Sequence, residues 1–156
     1  MEKICIDTDV LIDIARKRLI GYVSKELGIH LTSITLYEFS KGLAYIGRDI
    51  ATSKDELESR FNILWLTNDV ILKASGIFCK LKKRGYLIPD PDLLIGSTCI
   101  VYNVPLATYN TKHFEKLKQY GLTLEKPERV IGLLERVKHS HNTMIDRILQ
   151  VVARAR

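Results

Sequence analysis

Apolar residues along this chain come in two alternating rhythms. Short runs at residues 3–6, 30–33, 64–66, 104–107 and 122–124 have the length and β-rich composition of strands. Between them the apolar positions recur every three or four residues, as on a helix packed against a sheet. Val10, Leu11, Ile14 and Ala15 make the first such face, and Arg16, Lys17 and Arg18 stand where its last turn should fall. Cations there suit the negative end of the helix dipole. Residues 20–27 read as a short helical segment closed by Gly28. A long helix follows Thr35 and runs to about Tyr45, with Gly47 interrupting it. Ser53 and Glu56 have capping-box spacing and predict a helix over residues 57–64. Asn68 is read as the cap of a helix over 70–83, with Ile71, Ala74, Ile77, Phe78 and Leu81 as its apolar stripe. The stretch from Asp90 to Val101 is entered through prolines and is apolar nearly all round. It predicts a central helix packed closely on the sheet, with Gly96 and Ser97 in its middle. A helical turn over 111–118 ends at Gly121. From Pro127 the chain reads as helix, with Val130, Ile131, Leu134 and Val137 on one face. It continues, with or without a break near residues 139–142, to Ile145, Ile148, Leu149 and Val152.

Strands alternating with helices imply an α/β fold, a parallel twisted sheet of about five strands with helices on both faces and right-handed crossovers. Residues 1–126 are read as this domain, and residues 127–156 as a C-terminal helical extension packed on it. At 156 residues, with 46% apolar and 27% charged positions, the chain suits one globular domain with a sizeable core. No run of 18 apolar residues exists, which argues against a membrane span. The first strand begins at once, leaving no room for a secretory signal. Cys5, Cys79 and Cys99 are scattered singly, an arrangement that suits small buried hydrophobes in a reducing cytoplasm and not a disulfide framework or a zinc site. The net charge is +6, from 24 basic and 18 acidic residues, and favours a polyanionic partner.

Asp7 gives the first strand a chemical purpose. Parallel strands all end on one side of a sheet, and open α/β sheets keep their sites there. Asp7 and the pair Thr108 and Asn110 leave two different strands on that side, while Glu38 and Asp92 sit early in helices that begin there. Several carboxylates in one crevice repel one another unless a cation neutralises them. All-oxygen ligation suits Mg²⁺ or Mn²⁺. An acidic metal site in a basic protein is the arrangement expected for cutting a phosphodiester.

These residues also fall into an ordered set of motifs: Ile6-Asp7-Thr8-Asp9-Val10-Leu11, Thr35-x-x-Glu38, Pro89-Asp90-x-Asp92-x-Leu94-Ile95-Gly96-x-Thr98, and Thr108-x-Asn110-x-x-His113-Phe114. In that order they resemble the PIN domain family, in particular the VapC toxins of toxin–antitoxin pairs, over roughly residues 3–125. The resemblance implies a metal-dependent endoribonuclease. Asp7, Glu38 and Asp92 would bind Mg²⁺ or Mn²⁺ and organise the attacking water, with Asp90 as a supporting acid. Thr108 and Asn110 would order water or the scissile phosphate. Arg16, Lys17 and Lys112 are read as flanking the same edge, where they would hold the RNA backbone. The resemblance further implies a homodimer and a cognate antitoxin. The family often has a fourth acid where this chain has His113, which is read as a surface histidine at a helix start. His30, His139 and His141 are read as structural or solvated, and Asp9 as a cap of the first helix.

Two other readings are open. Asp7-Thr8-Asp9-Val10 fits the start of haloacid dehalogenase-type phosphatases, with Asp7 as nucleophile and Asp9 as acid/base, though no later G-D-x-x-x-D motif follows. A PIN-like scaffold that binds RNA or protein without cutting is the other, motivated by His113 and by Arg147, Arg154 and Arg156 in the tail.

Overall fold

The computed structural model describes residues 2–154, in which a five-stranded sheet lies between helices on both faces. In chain order the elements are β1 (Ile4–Ile6), α1 (Thr8–Arg16), β2 (Ile29–Thr32), α2 (Ser33–Tyr45), α3 (Ile50–Arg60), β3 (Asn62–Leu64), α4 (Asn68–Lys83), α5 (Asp90–Tyr102), β4 (Leu106–Ala107), α6 (Thr111–Phe114), β5 (Leu124–Glu125) and α7 (Pro127–Arg154). Every strand pair is parallel, and the spatial order is β3-β2-β1-β4-β5. Successive side chains of a strand point to opposite faces, and the core divides accordingly. Ile4, Ile6, Ile29 and Leu31 pack with α1, Leu57 of α3 and Val130, Ile131 and Leu134 of α7. Cys5 and Leu106 pack on the other face with α4, α5, Phe114 and Leu117.

The chain steps outward from β1 to β2 to β3, then returns to place β4 on the other flank of β1. The order therefore reverses between β1 and β4. A crevice opens at such a switch point, outside the C-terminal strand ends.

Several elements differ from expectation, each for a local reason. Helix α3 begins seven residues before Leu57, because Asp49 caps it: its side chain accepts the Ala51 N–H at 3.2 Å and the Thr52 hydroxyl. Ser53 turns its hydroxyl to the Asp49 carbonyl instead of capping. With α3 shifted forward, β3 takes Asn62–Leu64, in register with His30–Thr32. Thr67, not Asn68, caps α4. The buried face of α4 is Val70, Ala74, Ile77 and Leu81, leaving Ile71 and Phe78 exposed. Residues 20–27 form two 3₁₀ turns, and Gly28 closes the second at φ +68°, where a Cβ would lie 3.1 Å from the Glu2 carbonyl oxygen. Helix α7 runs without a break. Cys5 and Cys99 are buried, but Cys79 is exposed on α4, and all three are free thiols. No helix among the described residues is long and apolar enough to cross a membrane.

Candidate active site

Asp7 lies at the switch point itself. It follows β1 in extended conformation, φ −78° and ψ 168°, and caps α1 by accepting the Thr8 N–H on Oδ1 at 2.8 Å. Its backbone N–H continues the ladder to the Ala107 carbonyl of β4 at 3.0 Å. The neighbouring strand end then supplies a second tie, because the Thr108 hydroxyl donates to Asp7 Oδ2 at 2.9 Å. Glu38, in the second turn of α2, is joined to the same edge by the Thr8 hydroxyl, which donates to its Oε2 at 2.6 Å. Asp92, in the first turn of α5, has its Oδ2 2.7 Å from Nδ1 of His113 on α6. The Asn110 side-chain amide is 2.8 Å from that same ring nitrogen. One nitrogen cannot serve both: protonated, it donates to Asp92, and unprotonated, it accepts the Asn110 N–H.

Asp9 behaves differently from expectation. The cap of α1 is Asp7, and Asp9 reaches across to the loop that leaves β4. Its Oδ2 accepts the backbone N–H groups of Tyr109 at 3.0 Å and Asn110 at 3.2 Å. It thereby fixes the backbone that carries Thr108 to Asp7 and Asn110 to His113. Through Oδ2, Asp9 serves as a latch between α1 and the loop after β4.

Burial is the largest force on Asp7, which is only 6% exposed. It raises the carboxyl from the ordinary carboxylate range to about 6. The charges of Asp9 and Asp92 push in the same direction, against the bonds from Thr8 and Thr108. In addition, Asp9 Oδ1 is buried with no hydrogen-bond partner. Both features suit a cation at this point, and the donors are hard carboxylate oxygens with one imidazole nearby, a set that fits Mg²⁺ or Mn²⁺. Among the described residues no three acid, His or Cys side chains already stand at metal-holding distances. The acids approach from three separate elements as a loose set.

Not every residue singled out in the sequence comes to this crevice. Arg16 is at the far end of α1, eight residues from Thr8 and so about 12 Å along the helix axis at 1.5 Å per residue. Its neighbour Lys17 pairs with Asp13 at 2.6 Å. Asp90 is exposed and lines a groove shared with Ala74, Ser75 and Phe78 of α4. Lys112 does lie on the acidic side, exposed on α6 beside His113. His30 is buried, its Nδ1 donating to the Gly28 carbonyl at 2.7 Å, a structural placement. His139 and His141 are exposed, and Arg156 lies outside the described residues. The contacts missed in the sequence are those of Thr8, Asp9 and His113. Thr8 and Asp9 directly follow Asp7, and a polar residue after a strand-end acid is their only signal.

Fold and crevice together define an α/β protein with carboxylates gathered at the switch point of an all-parallel sheet. The chain belongs to the PIN domain family, whose model matches residues 4–119. It is 42% identical over 124 residues to Ribonuclease VapC1 of Methanocaldococcus jannaschii, spanning 78% of this chain and 86% of that protein. Identity to a VapC ribonuclease of Pyrococcus furiosus is 26% over 106 residues, 68% of this chain and 71% of the relative. Among solved structures, VapBC-1 from nontypeable Haemophilus influenzae aligns with a TM-score of 0.64 over 80% of this chain and 97% of that one, at 23% identity. That last likeness is one of fold.

Proposed function

We propose that this chain is an endoribonuclease that hydrolyses RNA phosphodiester bonds, with Asp7, Glu38 and Asp92 as its working carboxylates. The observation that carries the reading is the state of Asp7. A buried acid at the β1/β4 switch point, pushed up to about 6 beside Asp9 and Asp92, belongs to a chain 42% identical to a ribonuclease. Asp7, Glu38 and Asp92 would hold Mg²⁺ or Mn²⁺. When bound, such an ion supplies polarisation of the phosphoryl group and activation of water.

The remaining work falls to the protein's own groups. Thr108 holds Asp7 Oδ2, Thr8 holds Glu38 Oε2, and His113 stands at Asp92 Oδ2. Each tie fixes one oxygen of an acid. Glu38 Oε1 and Asp92 Oδ1 have no hydrogen-bond partner among the described residues and remain available. Asn110, held by Asp9 through its backbone, brings its side-chain amide to His113 Nδ1. A net charge of +6 supports a polyanionic substrate drawn to this local acidic site. Kinship with VapC ribonucleases supports reading the chain as the toxin of a toxin–antitoxin pair, a homodimer with its antitoxin as partner.

Cleavage of a labelled RNA by wild type, Asp7→Asn, Glu38→Gln and Asp92→Asn in Mg²⁺ and in Mn²⁺ tests the reading. The expected result is metal-dependent cleavage by wild type and a loss of at least 100-fold in Asp7→Asn and Asp92→Asn. Wild-type rates in Glu38→Gln would remove Glu38 from the site. RNA binding with no cleavage in either metal would leave a scaffold.

A further inference from the structure

Beside the acids, a cleft of about 250 Å³ opens between the segment that joins α4 to α5 and helix α6 with the turn after it. Its two walls differ in chemistry. Leu87, Ile88 and Pro89 form an apolar wall, and Lys112, His113 and Lys116 form a basic one. Leu87 is 76% exposed, a large aliphatic side chain presented at the mouth. His113 belongs both to this cleft and to the acidic crevice, where its Nδ1 meets Asp92 at 2.7 Å. His113 thus links the cleft to Asp92.

The cations are placed without being neutralised. Lys116 Nζ sits 4.5 Å from the centroid of the Tyr86 ring, a contact that orients an ammonium and leaves its charge intact. Arg84 flanks the same ring at 5.7 Å and is tied to Gln119 at 2.8 Å. Among the described residues, neither Lys112 nor Lys116 pairs with a carboxylate; the lysine pairs there involve Lys17, Lys54 and Lys118. A polyanion approaching the acids is repelled by them and attracted by this wall, so a strand crossing the crevice is held on the Lys112 side.

We propose that this cleft seats the nucleotide flanking the scissile phosphate of single-stranded RNA. Its base lies against Leu87, Ile88 and Pro89, and its phosphate lies between Lys112 and Lys116. The strand must be single, because a base reaches an apolar wall only when it is unstacked, and an A-form duplex keeps base faces stacked inside. This deepens the endoribonuclease reading and rests on it for the position of the scissile phosphate.

The test is fluorescence-anisotropy titration of a labelled single-stranded oligoribonucleotide with the full chain, in chelator so that nothing is cleaved, at several salt concentrations. Lys112→Ala/Lys116→Ala is expected to bind at least tenfold more weakly. Its slope of log affinity against log salt should be shallower by about 0.7, the value for one phosphate contact on a single strand. Leu87→Ser is expected to weaken binding threefold or more with the slope unchanged. Lys3→Ala/Lys25→Ala, at the opposite edge of the sheet, should stay within twofold. A duplex of the same sequence should compete at least tenfold less well. Wild-type affinity in the double lysine variant or in Leu87→Ser overturns the inference, as does equal competition by the duplex or no RNA binding by wild type. If wild type binds through the cleft but cleaves nothing in Mg²⁺ or Mn²⁺, the nuclease reading falls and the subsite stands. If it cleaves while the lysine variant binds unchanged, the subsite falls and the nuclease reading stands.

Discussion

Asp7 is stressed in the folded chain by the same surroundings that make it useful. Its carboxyl is raised to about 6 from a value near 3.8, so the folded state binds the proton more tightly than the unfolded state does. Ionised Asp7 therefore costs stability above pH 6, and that cost fades as the pH falls toward 4. Asparagine keeps a capping oxygen for the Thr8 N–H and carries no charge. In chelator at pH 7.5, Asp7→Asn is expected to be more stable than wild type by about 1–3 kcal/mol, a gain that disappears near pH 4. Added Mg²⁺ or Mn²⁺ should stabilise wild type and not the variant. Thermal melting across pH and metal checks both, and a less stable Asp7→Asn at pH 7.5 would show that local hydrogen bonds outweigh the burial. Asp7, Glu38 and Asp92 were legible because a strand end or an early helical turn announces an acid that faces the C-terminal edge of a sheet. Asp9 was not, since a cap and a latch share one pattern and its partners Tyr109 and Asn110 lie about 100 residues further on. His113 was hidden for the same reason: its partner Asp92 belongs to a different helix.

Helix α5 shows how an element reads correctly in kind and differently in its surroundings. Its apolar character on every side predicted a central helix, and Leu93, Ile95, Gly96, Ser97, Thr98 and Cys99 are all buried. The small residue at Gly96, however, admits a neighbour other than the sheet. A Cβ there would lie 2.3 Å from Leu117 Cδ1 and 3.5 Å from Phe114 Cδ1. Leu117 and Phe114 are themselves fully buried, so neither has open space to retreat into. Gly96→Ala should gain helix propensity yet lose about 1–3 kcal/mol through overpacking. A lower denaturant midpoint with an unchanged slope is the expected observation. An equal or higher midpoint would mean that Leu117 repacks freely. The strands were legible from their β-rich runs, and parallel pairing followed from their alternation with helices. The start of α3 was not, because Asp49 competes with Ser53 as a cap, and only the side-chain bonds to Ala51 and Thr52 decide between them.

At the scale of the whole molecule, the proposed division at residue 127 meets a helix that belongs to two environments. Val130 and Leu134 of α7 are 1% and 0% exposed in the core with β1 and α1. Beyond it, Lys138 and His141 still touch the Tyr22 ring, at 6.0 Å each. From there on Met144, Ile145, Ile148 and Leu149 are 40–60% exposed. The match to the PIN domain family ends earlier still, at residue 119. We therefore place the energetic boundary inside α7, after about residue 142, and read the first half of the helix as part of the fold. Burial decides the magnitudes: the exposed turns forgo little apolar contact when removed, whereas emptying the Leu134 site removes fully buried methyl groups and leaves a cavity. A chain ending at Asn142 is expected to unfold within about 0.5 kcal/mol of the full chain, but Leu134→Ala should cost about 2–5 kcal/mol. Urea unfolding at two protein concentrations checks both. A truncated chain destabilised as much as Leu134→Ala, with the full chain's midpoint independent of concentration, would place the distal turns in the fold. A full-chain midpoint that rises with concentration, lost on truncation, would instead assign those exposed apolar turns to contact between copies.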